Sequence, residues 1–323
     1  MLTCLLLSFI LSAVINYFLI LKGIARDLTY EVKEHAIHES SVSRAGGLGI
    51  FIPVAFCLLV YGYYKLFILS SLVFIVGFLE DLFKNMSPKI RLALILIVSF
   101  LTLLYNGWHL PQVPFFPEII VFFALMFAIS GYINAINIID GLNGLASGIS
   151  ITFIVMLAAT FYSLGEYKWL PVMVGIVGAI IGFLVFNFPK GKIFLGDGGA
   201  YLLGYLSAFF SLRLLAENPE VSVLYPIVLG IYPVWEVLYS AYRRLKKGIH
   251  PFSPDKKHFH TLLFCFLGSN YKASLVINFW VLLLGLMAYF FYDCAICLLC
   301  IMLVFVISYE ITYSFLEKKC QHA

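Results

Sequence analysis

Apolar residues run through the chain in long blocks, separated by short polar stretches. A helix needs roughly 20 apolar residues to cross a hydrocarbon core about 30 Å thick. By that measure the spans cover residues 2–22, 45–64, 66–83, 90–105, 118–135, 148–164, 169–187, 199–216, 223–242, 273–292 and 295–316. The pattern predicts an all-α integral membrane protein with about eleven transmembrane helices, folded as a single polytopic domain over residues 1–323. The blocks at 66–83 and 90–105 are short for a membrane helix. No internal repeat and no low-complexity linker interrupts the series. The first block starts at Leu2, with no basic segment before it and no small-residue cleavage site after it, and reads as a retained helix rather than a signal peptide.

Composition agrees with the pattern. Hydrophobic residues make up 62% of the chain and charged residues 12%, against about 25% charged in soluble domains. A net charge of +4 does not point to nucleic acid, but the positions of the charges are informative. Eighteen of the 21 Lys and Arg residues fall in one alternating set of connections, and only Lys65, Lys168 and Arg213 fall in the other. The positive-inside rule then puts the N-terminus outside and the C-terminus in the cytoplasm. Among the seven cysteines, Cys294, Cys297 and Cys300 have CxxC spacing, but CAICLLC lies in an apolar helix with no histidine nearby and reads as packing or lipid-facing residues.

Polar clusters collect on the cytoplasmic side each time, near 23–44, 77–92, 134–147, 187–199 and 243–272. Ionisable residues at membrane level are costly and mark function. In GFLEDLFKNMSPKIRL, Glu80 and Asp81 are adjacent acids that either repel or recruit a cation, Lys84 lies one turn on, and Arg91 opens the next helix. A solvated helix end with a Glu80–Lys84 pair would explain this stretch as well. In NAINIIDGLNGLAS, Asn134, Asn137 and Asp140 recur every third residue and share a helix face, with Gly141 and Gly144 allowing close approach. Capping needs only one such side chain, so the face suits a metal-chelated diphosphate or a sugar. In FNFPKGKIFLGDGGAYLLGY, GDGG leads into a helix whose N–H groups suit an anion, and Asp197 beside an anion calls for Mg²⁺ or Mn²⁺ between them. A plain N-cap aspartate with turn glycines is the alternative there. The basic loop RRLKKGIHPFSPDKKHFHTLLF could bind anionic lipid heads; HxH admits Zn²⁺, but Lys256 and Lys257 beside it favour phosphate. SRAGGLG at 43–49 is a basic, glycine-rich lead into the second helix and is weak by itself.

Taken together, these motifs resemble the polyprenyl-phosphate N-acetylhexosamine-1-phosphate transferases, a family of glycosyltransferase family 4 type. NAINIIDGLNGLASG resembles its NxxNxxDGxxGLA signature, FNFPKGKIFLGDGGAYLLG its FN…FxGDxGS segment, EDLFK its DDxxK, and HPFSPDKKHFHTLL the PFSPDxxHxHHxL loop of the N-acetylglucosamine-type members. The resemblance implies transfer of a sugar 1-phosphate from a UDP-sugar to undecaprenyl phosphate, releasing UMP. That is the first membrane step of cell-surface polysaccharide synthesis, and it is Mg²⁺-dependent, in the bacterial cytoplasmic membrane with the active site facing the cytoplasm. It also leaves room for a homodimer. Carried over by position, Asp197 with Asn137 holds the metal. Glu80 and Asp81 are the paired acids that deprotonate or position the lipid phosphate. Asp140, with Asn137 beside it, is the central catalytic aspartate. Asn187 and Phe194 contact the nucleotide, and Lys84, Arg91, His258 and His260 contact phosphates. The sequence departs from the pattern at Glu80 (for Asp), Asn143 (for a second Asp), Ala200 (for Ser) and Thr261 (for His). The phospho-N-acetylmuramoyl-pentapeptide translocases are the runner-up, disfavoured by the PFSPD…HFH loop. A polytopic lipid or solute transporter and an inactive scaffold are the readings of another class.

Overall fold

The computed structural model describes residues 1–25, 42–105, 116–250 and 257–320. Residues 251–256, which hold the whole of PFSPD, and residues 26–41 of the first polar segment lie outside the described residues. Helix is the only extended secondary structure among the described residues, and Ser43 and Ile193 form an isolated parallel bridge. The protein is an all-α membrane protein.

The helices are α1 (Leu2–Lys22), α2 (Gly46–Val60), α3 (Tyr64–Phe83), α4 (Pro88–Tyr105), α5 (Glu118–Ile139), α6 (Leu145–Ser163), α7 (Leu170–Asn187), α8 (Gly196–Glu217), α9 (Leu224–Leu229), α10 (Ile231–Lys246), α11 (Phe259–Leu267), α12 (Asn270–Phe290) and α13 (Ala295–Cys320). Among the described residues, nine of these are long and apolar enough to cross a membrane; α2, at 15 residues, is shorter. At 1.5 Å per residue α2 reaches only about 22 Å. The predicted blocks 66–83 and 90–105 gain length in the structure, as helices of 20 and 18 residues.

Two expectations need correction. The predicted span 223–242 is not one helix: it breaks at Gly230 between α9 and α10. Pro233 has no N–H to give to the preceding turn, and a Cβ on Gly230 would lie 2.6 Å from the Tyr132 ring, so the chain bends where only glycine fits. The segment 243–272, expected as a loop, includes the end of α10 and all of α11.

At the centre lies α8, with Tyr201, Tyr205, Phe209 and Phe210 fully buried, packed against α2, α3, α5 and α6. In lipid there is little hydrophobic drive between helices, so small residues that let backbones touch carry the packing. On α7, a Cβ at Gly178 would come within 2.3 Å of the Leu5 carbonyl and one at Gly182 within 2.5 Å of the Phe9 carbonyl, which is how α1 lies flush on α7. Outward faces keep their apolar side chains exposed, as at Leu2, Phe290 and Ile296.

Candidate active site

The beginning of a helix leaves its first N–H groups without intrahelical partners. At α8 those donors are taken by a side chain from another helix. Asp81, near the end of α3, accepts from the Asp197 N–H at Oδ1 and from the Gly198 N–H at Oδ2, both at 2.9 Å. A carboxylate there also complements the helix dipole. Gly77, one turn earlier on α3, makes the approach possible, since a Cβ would lie 2.5 Å from the Asp197 carbonyl. Asp197 itself follows Gly196, whose φ of +74° turns the chain into α8. Its Oδ2 pairs with Arg91 Nη1 at 2.7 Å, and the same Nη1 lies 3.8 Å from Glu80 Oε1. Glu80 Oε2 accepts from the Met86 N–H at 3.0 Å. The two adjacent acids therefore work apart: Asp81 is buried against the start of α8, and Glu80 faces Arg91. Lys84 is exposed at the left-handed end of α3.

A short crossing of backbones completes this corner. The Phe194 N–H donates to the Ser43 carbonyl at 2.8 Å, and the Gly46 and Gly47 N–H groups donate to Phe194 and Leu195 at 3.0 and 2.8 Å. That zipper sets Arg44 within electrostatic reach of Asp81, Asp140 and Asp197. It also holds the backbone of Phe194 while its ring stays 36% exposed.

The turn after α5 supplies the second group of residues. Asp140 caps α5, with Asn137 one turn earlier and partly buried. Burial pushes the Asp140 carboxyl well above the usual carboxylate range; the neighbouring Asp197 and Asp81 charges add to this and Arg44 opposes it. Asn134, which shares the predicted face, turns its amide back to the Ser130 carbonyl at 2.8 Å. Amides brace the rest of the turn. Asn187 Oδ1 accepts from the Gly144 N–H at 2.7 Å, and its Nδ2 donates to the Ile193 carbonyl at 2.8 Å. Asn278 Nδ2 donates to the Gly144 carbonyl at 3.2 Å, and Asn270 Oδ1 accepts from the Asn143 N–H at 2.9 Å. The structure thus places Asn187, which is 4% exposed, as a brace between two turns.

The third group is the start of α11. Here Glu236 of α10, 1% exposed, accepts from the Phe259 N–H at 3.2 Å through both oxygens, faces His258 Nδ1 at 2.9 Å, and accepts from the Tyr309 hydroxyl at 2.7 Å. His258 and His260 lie with parallel rings, centroids 5.5 Å apart. His260 is buried against the turn after Asp140, where a Cβ on Gly141 would come within 2.6 Å of its Nε2. Burial, with His258 adding and Glu236 opposing, pulls the His260 ring down to about 4, so it is neutral at physiological pH. Its Nδ1 is buried with no hydrogen-bond partner, and a buried polar atom of that kind calls for a ligand or water.

The structure gathers Glu80, Asp81, Arg91, Asp197 and Phe194 around the start of α8, links them to Asp140 and Asn137 through the carboxylate cluster, and docks His260 on the Asp140 turn with the His258 ring parallel to it. Sequence reasoning left out Arg44, Glu236 and Tyr309. SRAGG signalled the first, and a lone carboxylate inside the apolar PVWEVLY signalled the second. Tyr309 is one of 20 tyrosines and carries no signal of its own.

Residues 63–215 match a family model described as glycosyl transferase family 4. The undecaprenyl-phosphate alpha-N-acetylglucosaminyl 1-phosphate transferase of Thermotoga maritima is 32% identical over 286 residues, covering 87% of each chain. A probable undecaprenyl-phosphate N-acetylglucosaminyl 1-phosphate transferase of Bacillus subtilis is 29% identical over 75% of this chain and 70% of its own. A further relative from Yersinia pestis, bearing the same name as the Thermotoga protein, is 28% identical over 70% of this chain and 66% of its own.

Proposed function

Because this chain belongs to glycosyl transferase family 4, we propose that it transfers an N-acetylhexosamine 1-phosphate from a UDP-sugar to undecaprenyl phosphate and releases UMP. The observation that carries the reading is the convergence of Asp81, Asp140 and Asp197 with Arg44 and Arg91 at one end of a membrane-embedded helical bundle. A lipid acceptor reaches such a site through the bilayer, and a nucleotide donor reaches it from the aqueous side.

In the reaction an oxygen of the lipid phosphate attacks the phosphorus attached to the sugar. The bond from that phosphorus to the bridging oxygen breaks, and the oxygen leaves with UMP. Such a transfer depends on positioning and on charge neutralisation more than on covalent help from the protein. Asp81, with both oxygens occupied by N–H groups, fixes the start of α8 and with it the Asp197 carboxylate. Arg91 holds one oxygen of Asp197. Phe194, two residues before α8, offers an exposed ring for the uracil. His260, neutral and with Nδ1 lacking a partner, offers a hydrogen bond to the donor.

The residues fit Mg²⁺, which takes one or two carboxylates together with substrate phosphates and waters. Asp197 and Asp140 would hold it, with Asn137 alongside, and their mutual repulsion is what a cation relieves. When bound, it would neutralise the diphosphate and polarise the phosphorus under attack. The lysine- and arginine-rich connections support an active site on the cytoplasmic face of a bacterial inner membrane.

The test is UMP release by membranes holding the full chain, supplied with undecaprenyl phosphate and a panel of UDP-sugars that includes UDP-N-acetylmuramoyl-pentapeptide. One UDP-N-acetylhexosamine should release UMP. Asp197→Asn should lower the rate at least a hundredfold, the order seen when an electrostatic partner of a transition state is lost. Release from the muramoyl-pentapeptide donor alone would replace the proposed donor class, and an unchanged rate for Asp197→Asn would remove that residue from the metal site.

A further inference from the structure

The face of α13 carries three residues spaced by four, and all three touch the histidine turn or what holds it. Tyr309 donates to Glu236 Oε2 at 2.7 Å, Tyr313 donates to the Lys257 carbonyl at 2.9 Å, and Glu317 pairs with Lys257 Nζ at 3.2 Å. Residues spaced i, i+4, i+8 form a single stripe on a helix. The last helix of the chain therefore lies along the turn that presents His258 and His260.

Glu236 is the centre of this arrangement. A carboxylate buried in a helical bundle is expensive unless each lone pair is used. Both oxygens of Glu236 are occupied, by the Tyr309 hydroxyl, the Phe259 N–H and His258 Nδ1. Phe259 also packs face to face on Tyr309, with ring centroids 4.9 Å apart. An ionised carboxylate only accepts, so His258 meets it with an Nδ1–H. That fixes the tautomer and the ring plane and leaves Nε2 as the nitrogen available to a substrate, the arrangement by which an outer carboxylate orients a working imidazole.

We propose that Glu236 and Tyr309 are positioning residues of the transfer reaction: Tyr309 holds Glu236, and Glu236 holds His258 in one orientation and one tautomer, with its Nε2 turned to the UDP-sugar. The inference rests on the proposed function for what His258 touches, and on geometry alone for what holds it. It gives the C-terminal helix a part in the site although α13 brings no residue to the carboxylate cluster.

Tyr309→Phe removes one hydroxyl and keeps the ring that packs on Phe259, so the fold is retained. Glu236→Gln keeps an acceptor and loses the charge. In the full-length protein, with UDP-N-acetylglucosamine and undecaprenyl phosphate as the probes, Tyr309→Phe should lower kcat/KM for the UDP-sugar roughly tenfold and Glu236→Gln more, in protein that still unfolds cooperatively, at a lower thermal midpoint. The deciding arm is a double-mutant cycle. In a His258→Ala background, Tyr309→Phe should cost less than twofold, because the residue it acts through is gone. An equal loss in both backgrounds would mean general loosening and would overturn the proposal. Reaction of His258 with diethyl pyrocarbonate, followed by mass spectrometry, reads the same clamp without catalysis: Tyr309→Phe should speed it several-fold, and an unchanged rate would overturn the proposal. If the parent protein turns over no UDP-sugar, the functional reading fails, and the modification rates still decide the clamp.

Discussion

Asn143 stands where the resemblance leads to the expectation of a second aspartate, and its surroundings explain what the amide does. Its Nδ2 donates to the Pro189 carbonyl at 3.0 Å, and Gly191 lies so close that a Cβ there would come within 2.8 Å of that nitrogen. The amide ties the turn after Asp140 to the turn after α7. A carboxylate in its place would set an acceptor against an acceptor. Losing such a solvent-accessible hydrogen bond costs about 0.5–1.5 kcal/mol. Asn143→Asp should therefore lower the thermal midpoint and reduce UMP release instead of adding a catalytic group, as thermal unfolding in detergent and the release assay would show. A gain in turnover would mean that the side chain faces the substrate. Asn143 could be picked out as a departure from the sequence, but its direction could not, because the partner Pro189 lies 46 residues away.

The joint between α3 and α8 shows how helices, more than single side chains, build the site. Asp81 reaches two N–H groups of α8 only because Gly77 lets the helices touch. Helix propensity alone would favour Gly77→Ala by about 1 kcal/mol. Against that stands a Cβ 2.5 Å from the Asp197 backbone and 2.6 Å from the Gly198 nitrogen, and backbone cannot move aside as a flexible side chain does. Overpacking of this kind costs about 1–3 kcal/mol, so the contact outweighs the propensity. Gly77→Ala should push the start of α8 off Asp81 and cut UMP release at least tenfold, and Gly131→Ala, where nothing lies within 4 Å of the added carbon, serves as the control. Equal activities for the two variants would separate the joint from catalysis. The long apolar blocks were readable because hydropathy reports burial in lipid. The break at Gly230 was not, because a window average does not register Pro226, Gly230 and Pro233 as punctuation within an apolar run.

The two ends of the bundle differ in chemistry, and that difference bears on which way the protein crosses the membrane. At the end opposite the site, Lys168 pairs with Glu217 at 3.0 Å, Arg213 pairs with the same carboxylate, and Lys65 lies over the Tyr105 ring. These are the three basic residues that fall outside the lysine- and arginine-rich set. Orientation follows the count of Lys and Arg near the spans and not the net charge, so the proposed cytoplasmic placement of the site rests on eighteen against three and not on their pairing. The site end collects Arg44 and Arg91 beside the acids, with Lys84 exposed at the end of α3, which is where the proposed donor with its two phosphates would arrive. The proposed alternation of basic connections also implies that α2 and the broken pair α9–α10 both traverse the bilayer despite their short helical lengths, because dropping both would keep the parity odd but move the connections between them to the other side. A fluorescent protein fused after Cys320 should fluoresce in cells, and alkaline phosphatase fused at the same place should be inactive. Active alkaline phosphatase there would turn the bundle over, move the carboxylate cluster away from a cytoplasmic nucleotide, and remove the proposed donor together with the orientation.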